Sequence, residues 1–239
     1  MESPVSVPSA PPFRLFGPDH LAALAAVVGA CGLVWSLRGR MGPGGARWLG
    51  RLLACGLGIH VVGSYAATWS SGNLSLDQAL PLHLCNVLVL LTLVALVRPT
   101  PGRSEIVYYW GVGGSVQALL TPDLARGFPS WDFVLFFSGH GLLVVAPTYL
   151  VGVLGLEPRP GGAFRAFRAL LGYAAAVGLL DAAFGWNYGY LCEKPRGTSL
   201  LDHLGPWPVY VAAGLLLGLA SFWLLSFPWR PRPARSSSR

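Results

Sequence analysis

Between His20 and Phe227 the chain repeats one pattern seven times: an apolar run of about 17–25 residues, closed by a short polar, glycine-rich or proline-rich connection. Runs of that length match the hydrocarbon thickness of a bilayer crossed as an α-helix. A helix satisfies its own backbone hydrogen bonds, which lipid cannot do. The sequence therefore predicts an all-α fold, a polytopic bundle of seven transmembrane helices. The expected spans are His20–Leu37, Trp48–Trp69, Ala79–Val97, Glu105–Thr121, Asp132–Leu156, Ala169–Trp186 and Pro206–Phe227. Composition agrees: 53% hydrophobic and 11% charged residues exclude an ordinary soluble domain. Residues 1–15 read as a disordered lead-in, 16–227 as one transmembrane domain, and 228–239 as a disordered basic tail.

The basic residues set orientation. With the N-terminus outside and the C-terminus cytoplasmic, 13 of the 17 Lys and Arg residues fall on inner segments and four on outer ones (Arg14, Arg126, Lys194, Arg196). The net charge of +7 is thus a topology signal, and no nucleic-acid partner is implied. Cys31, Cys55, Cys85 and Cys192 show no C-x-x-C spacing, so neither a zinc site nor a dense disulfide scaffold is expected. Arg14 alone precedes the first run, which lacks the basic head of a signal peptide. Val28-Gly-Ala-Cys31 resembles a lipoprotein cleavage box only loosely, because apolar sequence follows it.

Polar residues inside the spans are the candidates for chemistry, since burying them costs free energy unless they are partnered. At the helical rise, His83, Cys85 and Asn86 fall roughly 6–11 Å below the outer end of the third span. His60 falls about 13 Å down the second and His140 about 12 Å down the fifth, with Gln117 and Asp181 roughly 6–8 Å down their own spans. Five spans thus place polar groups in one layer, and the long outer connection Asn187–Gly205 is positioned to cover it. Asn187 is counted with this layer. In a regular helix His83 and Asn86 share a face while His83 and Cys85 point about 200° apart. His83 is then a poor base for Cys85 and His140 the more plausible one, unless Pro81 leaves this first turn irregular, which would lift the exclusion. A cysteine paired with an imidazole suits nucleophilic acyl chemistry. Asp181 is expected to orient that imidazole, and Asn86 or Gln117 to donate to a developing oxyanion. Gly139 and Gly141 would allow close approach of a neighbouring helix or acyl chain. Pro147 predicts a kink or a freed carbonyl.

Each residue also has a plainer reading. A membrane cysteine is usually a packing residue, and His60 fits a helix-to-helix hydrogen bond. Tyr108, Tyr109, Trp110, Trp131, Trp186 and Trp207 read as interfacial belt residues.

Leu80-Pro-Leu-His-Leu-Cys85, Ser138-Gly-His-Gly-Leu142, Asn187-Tyr-Gly-Tyr-Leu-Cys-Glu-Lys-Pro195 and Ser199-Leu-Leu-Asp-His-Leu-Gly-Pro-Trp-Pro208 together resemble the YwaF-like bacterial membrane proteins. Those are related to the eukaryotic transmembrane protein 164 family of seven-span acyltransferases. The resemblance implies Cys85 as acyl-accepting nucleophile and His140 as its base. It also implies phospholipid and lysophospholipid substrates, no cofactor and no metal, and the bacterial cytoplasmic membrane as location. The expected function is a membrane-embedded transacylase acting through a cysteine thioester. The alternative is a small-molecule transporter or sensor that uses the buried polar layer as a binding site.

Overall fold

A computed structural model describes residues 10–70, 72, 79–195 and 200–229. The expected turn at Ser70–Gln78, Arg196, residues 1–9 of the lead-in and residues 230–239 of the tail fall largely or wholly outside these. The described residues are helical, with no strand beyond a single bridge between Pro12 and Arg126. The helices are α1 (Pro18–Ser36), α2 (Pro43–Ser70), α3 (Leu84–Val97), α4 (Pro101–Trp110), α5 (Val116–Leu120), α6 (Trp131–Thr148), α7 (Gly162–Phe184) and α8 (Val209–Leu225). A π-helical turn, Gly111–Ser115, joins α4 to α5, and another, Tyr149–Val153, extends α6. The predicted fourth span is therefore one continuous helical segment with a widened middle.

Local chemistry sets the boundaries. Pro18 opens α1 and Pro101 opens α4, where a missing N–H costs nothing. The Thr100 and Ser130 side chains accept from the Arg103 and Phe133 N–H groups and cap α4 and α6. Gly185, at φ +69°, closes α7 in the left-handed conformation that glycine tolerates. Four helices are long and apolar enough to cross a membrane: α1, α2, α7 and the continuous Trp131–Val153 segment. Helices α3 and α8 are apolar but shorter.

The Trp131–Val153 segment is the central one: 56% of its spanning window is buried, against 11% in each of the other three. Around it, Leu57 of α2, Leu88 of α3, Val107 and Tyr109 of α4 and Leu170 of α7 form one core with Leu143, Ala146 and Leu150. Pro147 cannot donate to the Leu143 carbonyl four residues back, and Gly111 packs against that freed oxygen. A Cβ at Gly111 would sit 2.5 Å from it. The outer surface carries bare apolar side chains such as Val28, Ile59, Val62 and Leu179, as lipid contact requires.

Three readings change. Tyr109 and Trp110 are not belt residues: both are buried, and the Trp110 indole donates to the Ala166 carbonyl at 3.0 Å. They lie on the face of α4 turned toward α7, a direction that residue type alone does not reveal. At the end of the lead-in, Phe13 and Gly127 donate backbone N–H groups to Ala125 and Pro11, tying residues 11–13 to 125–127. Finally, the start of α4 holds a buried carboxylate that sequence reading passed over. Glu105 accepts from Arg159 at 2.7 Å and from Arg165 at 2.9 Å, fastening the 157–165 connection to α4.

Candidate functional site

The regular third helix begins at Leu84, not Ala79. Proline 81 sits in a turn closed by the Leu82 N–H on the Leu80 carbonyl, and His83 precedes α3 in extended conformation (φ −59°, ψ 141°). This changes the angular argument. His83 is outside the helix, so the 200° separation from Cys85 does not apply, and both side chains reach the same cavity.

That cavity is about 490 Å³ and is walled by the start of α3, by α5, by the middle of α6 and by Tyr190, Pro195 and Leu201. His83, Cys85, Asn86, Gln117 and His140 all line it, joined by Thr121, Asp123, Phe136 and Tyr190. Five of the eight residues picked from sequence thus meet in one place.

The two imidazoles are set up in opposite ways. The His140 Nδ1 lies 3.0 Å from the Phe136 carbonyl, which can only accept. Nδ1 therefore carries the proton, and Nε2 of the neutral ring keeps a free lone pair. Phe136 also stacks on the ring at 4.2 Å, fixing its plane. At His83 the Gly189 N–H donates to Nδ1 at 3.3 Å. Its neutral ring then carries the proton on Nε2, which is a donor. One imidazole offers a base and the other a hydrogen-bond donor.

Cys85 is the second residue of α3, and no side chain caps that helix. The N–H groups of its first turn have no intrahelical acceptor. All four cysteines are free thiols.

The other three candidates lie apart from this cavity. Asp181 is buried in α7 and accepts from the Tyr188 N–H at 3.0 Å. It stands against the 187–190 turn, beside His83, and does not hydrogen-bond His140 as expected. The Asn187 side chain clasps its own connection, accepting from the Cys192 and Glu193 N–H groups and donating to the Glu193 carbonyl. His60 lies between α2 and α6, its ring against Gly139, where no Cβ would fit. Gly141 faces Val27 in the same way, so the two glycines admit neighbouring helices.

Sequence reading missed the aromatic residues of the connection. Tyr188 and Tyr190 pack on the His83 ring at 5.0 and 5.6 Å, and the Tyr188 hydroxyl accepts from the Leu80 N–H. Tyr190 holds a left-handed φ of +56°, and its carbonyl accepts from the Tyr210 hydroxyl at 2.7 Å. The Trp207 indole donates to the Leu191 carbonyl. The connection is thus tied to α3 and α8. The available signal was the density of aromatic residues in Trp186–Tyr190. Among the described residues, no group of three or more His, Cys, Asp or Glu side chains is placed to hold a metal ion.

A family model described as the TMEM164 family matches residues 15–226. No curated protein and no solved structure matches the chain.

Proposed function

The chain belongs to the TMEM164 family, matched over all but its two tails, and on that footing we propose that it is a membrane-embedded transacylase working through a thioester on Cys85. The observation that carries the reading is one cavity lined both by a thiol at an uncapped helix start and by an imidazole whose Nε2 lone pair is free. This is the pairing that the resemblance to acyltransferases implies.

The donor is a glycerophospholipid. The Cys85 sulfur attacks its ester carbonyl carbon while His140 Nε2 takes the thiol proton. The carbon–oxygen bond breaks, and the departing lysolipid oxygen takes the proton back from His140. In the second half-reaction a lysolipid hydroxyl attacks the thioester carbon as His140 removes its proton. The carbon–sulfur bond breaks, and the sulfur is reprotonated. His83 Nε2–H, Asn86 and the free N–H groups of α3 are the donors for the oxyanion in both steps. Gln117, across the cavity on α5, can hydrogen-bond the lipid ester region.

We read the seven helical segments as seven spans, N-terminus outside and C-terminus cytoplasmic, in a bacterial cytoplasmic membrane. The short α3 suffices because the Leu80–His83 turn continues it toward the outer surface. The test is transfer of a labelled acyl chain from phospholipid to lysolipid by the purified protein in vesicles. Cys85→Ala abolishes transfer, and His140→Gln lowers it by about 10²–10⁴-fold, the usual range for a general base. Wild-type transfer in Cys85→Ala would refute the reading.

A further inference from the structure

Asp181 stands in an unfavourable place. It is a carboxylate only 1% exposed, in the last turn of α7, where the helix dipole already presents negative charge. One oxygen, Oδ1, accepts from the Tyr188 N–H at 3.0 Å, while Oδ2 has no hydrogen-bond partner. An apolar side chain would suit the position better unless the bond to Tyr188 matters. Such local conflicts are expected where a site needs them. The bond belongs to a continuous brace. The Asp181 carbonyl takes the Gly185 and Trp186 N–H groups, so this residue both ends α7 and catches the chain that leaves it. Tyr188, fully buried, also ties back to α3, its hydroxyl accepting from the Leu80 N–H. The next residue, Gly189, has a left-handed φ of +65° and donates to His83 Nδ1 at 3.3 Å. A Cβ at Gly189 would meet the Tyr173 hydroxyl at 3.0 Å, and that hydroxyl donates to the Leu82 carbonyl beside His83. Among the described residues, the Gly189 N–H makes the one hydrogen bond to the His83 ring.

We infer that Asp181 is the positioning residue of His83: by holding the Tyr188 N–H it sets Gly189 against Nδ1 and so makes Nε2 the ring's proton-bearing atom. What that donor does rests on the thioester reading above. It hydrogen-bonds the oxyanion when Cys85 attacks the donor ester, and again when the lysolipid hydroxyl attacks the thioester. Asp181 does not line the cavity, and it takes no proton in either half-reaction, where His140 remains the base. Its part is that of an acceptor. A carboxylate accepts more strongly than an amide, which is what the position gains from Asp. Asparagine keeps an acceptor for the Tyr188 N–H, whereas leucine, of similar size, removes it.

The experiment is a double-variant cycle in the full-length protein with two readouts. The first is the nitrogen NMR spectrum of protein carrying isotope-labelled histidine, at about pH 8, above the ordinary imidazole range. The His83 signals are those missing from His83→Phe. The second is the rate at which Cys85 loads a labelled acyl chain from phospholipid vesicles. The wild type shows His83 with its proton on Nε2, and Asp181→Leu shows a mixture of the two tautomers. Loading slows about tenfold in Asp181→Leu, and about 10²–10³-fold in His83→Phe, the range for losing an oxyanion donor. Added to His83→Phe, Asp181→Leu changes the rate by no more than about twofold, because its action runs through the ring already lost. Asp181→Asn keeps the wild-type tautomer and loads within about threefold of wild type. Gly189→Ala, which displaces the same N–H, takes the place of Asp181→Leu should circular dichroism show that variant unfolded. A His83 tautomer unmoved in the folded variant, or the same tenfold loss on the His83→Phe background, would overturn the brace and leave the thioester reading intact. A wild type that never loads, with a tautomer that still follows Asp181, would overturn the thioester reading and leave the brace.

Discussion

At the scale of single residues, the site is defined by which atom of each side chain is already engaged. His83 and His140 are the same residue type, lining one cavity, yet a backbone N–H on one Nδ1 and a backbone carbonyl on the other give them opposite protonation patterns. That distinction was not legible in the sequence, because both partners are backbone atoms, one of them 106 positions away from its histidine. The presence of Cys85, His140, His83, Asn86 and Gln117 in one layer was legible, since depth along a helix follows from residue count alone. The 187–195 connection offers a further residue-scale check. Burial, and then the Asp181 and Glu193 carboxylates, raise the Cys192 thiol above its ordinary value. A raised thiol yields its thiolate only at higher pH, so iodoacetamide labelling of Cys192 has a midpoint above that of free cysteine. Asn187→Ala, which releases the clasp on the Cys192 N–H, moves that midpoint down. A midpoint at or below that of the free thiol in the wild type would contradict the arrangement.

At the scale of elements, what the sequence could not resolve was the point at which each helix departs from regularity. Pro81 removes His83 from α3, and the widened turn at Gly111–Ser115 reshapes the fourth segment. Both follow from proline and glycine chemistry, but their consequence depends on neighbours distant in sequence. Pro147 illustrates this: it predicts a freed carbonyl, and the structure supplies Gly111 as the residue small enough to lie against it. Gly111→Ala therefore forces α4 and α6 apart and costs about 1–3 kcal/mol. Gly172→Ala in α7, where added bulk meets nothing within 4 Å, is the matched control. It gains about 0.5–1 kcal/mol from helix propensity. Thermal unfolding in detergent should lower the Tm of the first variant and leave that of the second equal or higher. Equal losses in both would contradict the packing account.

At the scale of the whole molecule, the seven-run pattern made the all-helical architecture legible, whereas the arrangement of helices around α6 was not. Apolar sequence reads alike whether it faces lipid or protein, so Tyr109 and Trp110, which by residue type suit an interface, are core. One end of the bundle is held by Glu105 between two arginines, and the other by the bonds of Trp207 and Tyr210 to the Leu191 and Tyr190 carbonyls. The Cys85 cavity lies toward the second of these ends, with Tyr190 in its lining. The proposed thioester chemistry requires the Cys85 thiol to meet acyl chains within the bilayer while His83 and His140 stay anchored to backbone. The most direct test of that account is the intact mass of the purified full-length protein after brief incubation with mixed phospholipids and rapid quenching. The account predicts a fatty-acyl adduct that hydroxylamine removes and that Cys85→Ala never forms. An adduct that persists in Cys85→Ala, or no adduct with any phospholipid class, would contradict it.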